Sequence, residues 1–476
     1  QLHSFVREHI VRGVWKRRPR PVLLNSWEAC YFKIDERKLL QLAKAGAAVG
    51  IELFVMDDGW FSGRNDDTSS LGDWEPDPKK LPGGIVSLSK KIKALGVDFG
   101  LWVEPEMISE NSRLCQEHLN WAMMIPGHPH SEGRNQRLLD LCNPEVQQYV
   151  IDSMTKVFSS GEIRYVKWDM NRNFSDIYSP YLPAAKQGET AHRYVLGLYH
   201  IMDELTTRFP EILFEGCSSG GNRFDLGILS YFPQIWASDN TDALCRTGIQ
   251  NSYSYGYPLS VFTAHVSSCP NHQTLRITPL ETRFQVASFG ILGYECNLKD
   301  LSGSDLNAIR EQIALYKKWR DVFQFGTFYR GTENEDSDSE TLSWTCVSPD
   351  GRRAVGLFFR RLTTPNQSHD WYRPVGLLPD VKYHFYGRNI KYNLKDFGDL
   401  VNTVSPVHIK QGSALQEILS RFVNMDGEKE DLTAYGDTLM RAGIALKPAF
   451  AGTGYNSDTR LFPDFSSRIY FMEAVE

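Results

Sequence analysis

Apolar, β-rich runs recur through the first two thirds of the chain. They are "PVLLNSW" (21–27), "IELFVMDD" (51–58), "FGLWVEPEM" (99–107), "RYVKWDMN" (164–171), "ILFEGCSSG" (212–220), "QIWASDN" (234–240), "LSVFTAHVS" (259–267) and "FGILGYECN" (289–297). Stretches of helical periodicity separate most of them. In "DERKLLQLAKAGAAVG" (35–50), Leu39, Leu42, Ala43 and Ala47 fall near one face. Residues 83–96, 144–160 and 189–209 read the same way. Near-continuous apolar strands alternating with helices predict a parallel sheet, and eight such units predict a (β/α)8 TIM barrel. A helix over 304–324 closes it. Beyond that the texture changes: "TLSWTCVSPDGRRAVGLFFRRL" (341–362) reads as a hairpin turning at "SPDG". The expected division is a barrel over 1–325 and a C-terminal antiparallel β-sandwich domain over 326–476. The acidic "TENEDSDSE" (332–340) reads as a solvated connecting loop.

The predicted strands begin apolar and end polar: Trp27-Glu28, Asp57-Asp58, Glu104 and Glu106, Lys167 and Asp169, Cys217-Ser218, Asp239. Barrel active sites form at the carboxyl ends of the strands, so these side chains are expected to converge on one pocket.

Composition narrows the classes. Net charge is -6, and the one basic run, "WKRRPRP" (15–21), reads as a solvated loop, so nucleic acid is not an expected partner. No apolar run is long enough to span a bilayer, so no membrane partner is expected. None of the eight cysteines forms CxxC, and none joins histidines at zinc spacing. Several lie within apolar runs, which favours a reducing compartment and a cytoplasmic location. The opening "QLHSFVREHI" does not read as a signal peptide but as the middle of a helix, so the natural protein is expected to extend upstream.

The chemistry centres on carboxylates. Lys167 precedes Asp169 by two residues, so both point to one side of a strand. A lysine within ~4–6 Å keeps a carboxylate ionised, as a nucleophile requires. The bland alternative is a structural ion pair at the barrel rim. Asp239 ends another strand and is the candidate acid; Asp242, past Thr241, suits the first turn of a helix instead. Asp57 and Asp58 admit two readings, metal ligands or acceptors for a pair of sugar hydroxyls. Only His265 lies near a strand end, and a metal ordinarily brings more donors, so no metal is expected. Trp27, Trp60, Trp74, Trp102, Trp168 and Trp236 accompany these positions. Singly each suits a core; together they suit a sugar pocket. "EGCSSGG" (215–221) lets backbone approach a ligand closely and lacks the lysine of a phosphate loop.

Taken together, "LNSWEACYF", "DDGWF", "WVEPEM", "EGRNQ", "YVKWDMNR", "EGCSSGG", "RFD" and "SDNTDA" resemble glycoside hydrolase family 36, the α-galactosidases, over about residues 20–325. The resemblance implies a retaining, cofactor-free double displacement on α-galactoside oligosaccharides. Asp169 resembles the nucleophile and Asp239 the acid/base. Asp57 and Asp58 resemble the pair holding the 4- and 6-hydroxyls. Lys167, Arg134 and Asn171 resemble further sugar ligands, Trp27 and Trp102 pocket walls, and Cys217 and Gly220 the lining of the 2-position. Asn222 stands where a small residue is expected, at the edge of that position. The rivals on the same scaffold are an α-N-acetylgalactosaminidase, a transglycosylase and a non-catalytic sugar-binding protein. Full-length members carry an N-terminal β-sandwich ahead of the barrel, which implies a homo-oligomer, dimer or tetramer, for the full-length protein.

Overall fold

The computed structural model describes every residue except 132, 332–339, 365–368, 421, 451–458 and 476. The acidic run at 332–340 therefore lies outside the described residues, its last position apart. By their contacts the residues form two compact units, Gln1–Leu275 with Ala287–Lys317, and Arg276–Val286 with Lys318–Glu476.

The first unit holds a closed barrel of eight strands: β1 (Leu23–Asn25), β2 (Leu53–Met56), β3 (Asp98–Val103), β4 (Ile163–Trp168), β5 (Leu213–Gly216), β6 (Gln234–Trp236), β7 (Phe262–Ser267) and β8 (Ile291–Glu295). Neighbours in sequence are neighbours in space, and β8 closes on β1, every pairing parallel. All strand positions are buried except Asp98 and Arg164. Layers on both faces explain the near-continuous apolar runs.

The helices between strands stand where periodicity places them, at Glu36–Val49, Gly84–Lys93, Pro144–Phe158 and Thr190–Arg208. The first is delimited by local chemistry. The Asp35 carboxylate accepts from the Lys38 backbone N–H at its start, and Gly50, at φ 100°, ends it. Its buried stripe is Leu39, Leu42, Ala43, Gly46 and Val49, with Ala47 half-buried. Each buried leucine there contributes about 1.5–3 kcal/mol by leaving water.

The strand register shifts between Phe99 and Gly100 where β3 meets β4. A Cβ on Gly100 would lie 2.7 Å from Tyr165 Cβ and 2.9 Å from its carbonyl oxygen, so only glycine fits. Toward the amino-terminal ends of the strands, Leu23, Leu53, Val55, Tyr165 and Leu213 pack into one cluster with Trp15 against it. That end is filled, which leaves the carboxyl ends to form a cavity.

The second unit is an antiparallel sheet of six strands: β9 (Thr327–Arg330), β10 (Thr341–Val347), β11 (Arg353–Arg360), β12 (Lys382–Gly387), β13 (Asp431–Tyr435) and β14 (Ser466–Ala474), in the order β9-β10-β11-β14-β12-β13. The hairpin turn is the expected one. Asp350 accepts from Ser348 Oγ and Arg352 N, and Gly351 takes φ 72°. A short ribbon of Trp371–Tyr372 and Ile444–Ala445 adds a second layer, its Tyr372 and Ile444 packing with Phe358, Phe385, Tyr470 and Met472. Among the described residues no helix is long and apolar enough to cross a membrane.

Candidate active site

The carboxyl ends of the barrel strands enclose a cavity of about 140 Å3, lined by Trp27, Glu28, Asp57, Asp58, Trp102, Arg134, Lys167, Asp169, Asn171, Trp236, Asp239, Thr241, His272, Gln273 and Glu295. Lys167 is the penultimate residue of β4, and its Nζ lies 3.0 Å from Asp57 Oδ2. The close partner of the lysine is thus a carboxylate on β2's end, not Asp169 two residues on. Asn25 Nδ2 donates to the same Asp57 oxygen at 2.8 Å. Asp58 is gripped by Arg64, whose Nε and Nη2 reach its two oxygens at 3.0 and 2.8 Å. Such forked, charge-assisted bonds fix a carboxylate in one orientation. Both aspartates are buried and already partnered, so they offer their remaining lone pairs along fixed directions. Among the described residues no group of three or more His, Cys, Asp or Glu is arranged to hold a metal ion.

Asp169 extends the β4 ladder by one bond, its N–H donating to the Val103 carbonyl at 2.8 Å. Its Oδ2 accepts from Trp102 Nε1 at 3.1 Å and from Asn171 Nδ2 at 2.7 Å; its Oδ1 accepts from Met170 N at 2.8 Å. Burial is the largest single influence and would raise its pKa. The Lys167 charge and hydrogen bonds from Cys217, Asn171 and Trp102 together outweigh it and hold the carboxyl below the ordinary range.

Asp239 behaves oppositely. It lies three residues past β6 and shows its carboxylate to the cavity, where Trp236 Nε1 donates to it at 2.8 Å. Asp239 is exposed by surface area, yet the cavity walls around it desolvate the carboxylate. Desolvation, then the Asp169 charge, push its pKa up, against Lys167 and the Trp236 bond. Two carboxylates of one cavity are thereby driven apart in acidity. Asp242 is spoken for as a helix cap: its side chain accepts from Cys245 N at the start of Ala243–Tyr253. Arg246 of that helix reaches back, donating through Nη2 to the Ser238 carbonyl at 2.6 Å and through Nε to the Asn240 carbonyl at 2.8 Å. Both carbonyls flank Asp239.

The remaining expected residues divide by depth. Trp102 is buried and lines the floor, while Trp27 is braced edge-on by Tyr31 and Phe32. Arg134 stands at the rim in a left-handed conformation (φ 52°), 3.5 Å from Asp67. Cys217 and Gly220 do not line the cavity but back it. The Cys217 thiol hydrogen-bonds Asp169, and its own pKa is pushed up, first by burial and then by that carboxylate. A Cβ on Gly220 would meet Asp239 N at 2.9 Å. Asn222 turns onto its own loop, donating to the Ser218 and Ser219 carbonyls, instead of edging the cavity.

His272, Gln273 and Glu295 were not singled out from the sequence. Glu295 ends β8 and follows the same apolar-to-polar rule as the other strand ends, so that rule could have found it. His272 and Gln273 come from a loop beyond β7, where no periodicity points inward. Glu104 was noted only as a polar strand end. It is buried between Asp169 and Arg64, and desolvation, then the Asp169 charge, push its pKa up to about 8 against the bond from Asn171 N.

Comparison with known proteins agrees with this geometry. A family model described as Melibiase matches residues 1–326, and one described as Glycosyl hydrolase family 36 C-terminal domain matches residues 341–472. The chain is 46% identical over 388 residues to Alpha-galactosidase AgaA of Geobacillus stearothermophilus, covering 82% of this chain and 53% of that protein. It is 46% identical over 382 residues to Alpha-galactosidase Mel36A of Lactobacillus acidophilus, covering 80% and 52%. The crystal structure of AgaA superposes with a TM-score of 0.85 at 41% identity, covering 100% of this chain and 58% of that one. Variants of AgaA have been solved in complex with raffinose and with stachyose. The chain spans about half the length of the curated relatives it matches.

Proposed function

The chain belongs to the melibiase family of glycosyl hydrolases, and from that premise we propose that its cavity hydrolyses terminal α-galactosides with retention of configuration. The observation that carries this reading is the opposed tuning of two carboxylates in one cavity, Asp169 held ionised and Asp239 held toward its acid form. Retaining hydrolysis needs that split. Asp169 attacks the anomeric carbon while Asp239 gives its proton to the departing glycosidic oxygen. A galactosyl ester on Asp169 results. Asp239, now a carboxylate, takes a proton from water, which displaces Asp169 and restores the original configuration.

The floor supports a galactose-sized polyol. Asp57 and Asp58 present oriented acceptors for two neighbouring hydroxyls, held by Asn25, Lys167 and Arg64. Asn171 and Arg134 add donors, and Trp27 and Trp102 add apolar faces for the ring. Oligosaccharides of the kind bound by AgaA variants, raffinose and stachyose, are the expected substrates, and a homo-oligomer is the expected assembly of the full-length protein.

The test is hydrolysis of p-nitrophenyl α-D-galactopyranoside and of the matching α-N-acetylgalactosaminide, by this chain and by Asp169→Ala. Release from the galactoside alone, abolished in the variant, is the expected result. Full activity in Asp169→Ala would sink the assignment of the nucleophile. Preference for the N-acetyl substrate would sink the sugar.

A further inference from the structure

The cavity has a depth axis. Asp57 and Asp58 lie at its floor, with 4% and 6% of their side-chain surfaces accessible, and Lys167 and Asp169 are buried beside them. His272 lies at the mouth with 29% of its side chain accessible. A terminal sugar seated on the floor leaves the rest of its molecule at the mouth.

His272 is a built feature of that mouth. Its Nδ1 lies 3.0 Å from Glu28 Oε1, and the Glu28 side chain is buried. The same carboxylate oxygen accepts from Thr241 Oγ1 at 3.0 Å, and Thr241 Oγ1 in turn accepts from Asn271 Nδ2 at 3.0 Å. Glu28 thus joins the His272 loop to the loop that carries Asp239. The other ring nitrogen of His272, Nε2, has no hydrogen-bond partner among the described residues, although the residue lines the cavity. One nitrogen is fixed by a buried carboxylate, and the other stands unused at the opening.

We infer that His272 binds the leaving-group sugar, its Nε2 hydrogen-bonding a hydroxyl of the residue next to the scissile bond. This rests on the α-galactoside reading of the cavity. Asp239 must face the glycosidic oxygen to protonate it, so side chains near Asp239 but nearer the mouth face the departing group. His272, exposed at the mouth and tied to the Asp239 loop through Glu28 and the buried Thr241, meets that condition. The Glu28 bond, outweighing partial burial, and the charges of Glu28, Glu295 and Asp239 hold the imidazole above its ordinary pKa. With Nδ1 turned to the Glu28 carboxylate, Nε2 is free to accept from a sugar hydroxyl in the neutral ring or to donate to one in the protonated ring.

The experiment compares melibiose, whose leaving group is a sugar, with phenyl α-galactoside, whose leaving group has no hydroxyls. It uses the unaltered chain, His272→Ala and His272→Gln, with thermal melting as a control for folding. His272→Ala should lose about 10- to 100-fold in kcat/KM on melibiose, the worth of one hydrogen bond to a charged group. Its loss on the phenyl substrate should be at least severalfold smaller. His272→Gln, which keeps an N–H near the same place, should recover part of the melibiose loss only. Equal losses on the two substrates in both variants would overturn the assignment while leaving the α-galactoside reading intact. Cleavage of neither substrate by the unaltered chain would overturn that reading, and this assignment with it.

Discussion

Lys167 Nζ and Asp57 Oδ2 lie 3.0 Å apart at the floor of the barrel cavity, both side chains buried. The pair ties the end of β4 to the end of β2. It also places the positive charge that lowers the pKa of Asp169.

Lys167→Met therefore has two separable effects. Asp57 keeps its hydrogen bonds from Asn25 and the Asp58 N–H but loses its counter-charge, which should cost about 3–5 kcal/mol of stability, read as a drop in the urea midpoint. Asp169 loses its main stabilising charge, so its pKa rises. Since activity requires the ionised form, the acid limb of the kcat/KM profile should move to higher pH. An unmoved limb would show that Lys167 does not tune Asp169.

Arg246 holds the backbone on both sides of Asp239, the proposed acid, through the carbonyls of Ser238 and Asn240. Lysine cannot span both with one rigid fork. Arg246→Lys should lower kcat on galactosides by about 10- to 100-fold, the scale of a misplaced catalytic group, with KM little changed. Steady-state kinetics on a single substrate decides it.

Gly220 has φ 85°, and a Cβ there would press on Asp239 N at 2.9 Å and Ser238 Cα at 3.0 Å. Gly220→Ala should cost about 1–3 kcal/mol as backbone strain and lower kcat disproportionately. A variant that melts lower yet turns over normally would show that the loop absorbs the strain without moving Asp239.

Glu104 gives a pH-stability signature. Its folded pKa, about 8, stands above the ordinary value of 4.5. Between those pH values the folded state holds the proton that the unfolded state has released, so stability falls as pH rises through the window. Gln imitates the neutral acid and does not titrate. Glu104→Gln should gain melting temperature relative to the unaltered chain as pH rises from 5 to 8. A difference independent of pH would mean that Glu104 is already ionised.

The barrel was readable because burial on both faces of a parallel strand leaves a mark on every residue. All eight apolar runs became barrel strands. The change from apolar to polar at strand ends located Asp57, Asp58, Lys167 and Asp169 for the same reason, since the residue after a ladder ends points into the mouth. His272 and Gln273 were not readable. They sit on a loop folded back over the strand ends, and no local period records such a return. The partner of Lys167 was not readable either. Spacing of two along β4 pointed to Asp169, while the short contact passes over β3 to Asp57 at the end of β2, a relation set by strand order rather than by local spacing. Cys217 and Gly220, read as lining the 2-position, stand against Asp169 and the backbone of Asp239.

The seam from Asn271 through Thr241 to Glu28 and His272 has a consequence for how such a molecule can change over generations. A substitution on the loop after β7 is transmitted to the loop that bears Asp239, because the two share hydrogen bonds. A second link, from Thr274 Oγ1 to Asp242 at 2.7 Å, reinforces the coupling. Variation at Asn271 or Thr274, which bond the Asp239 loop directly, therefore carries a penalty at Asp239 unless a compensating change arrives on the other loop, whereas His272 reaches that loop only through Glu28. The accessible evolutionary paths run through pairs of replacements, and the order in which they occur matters.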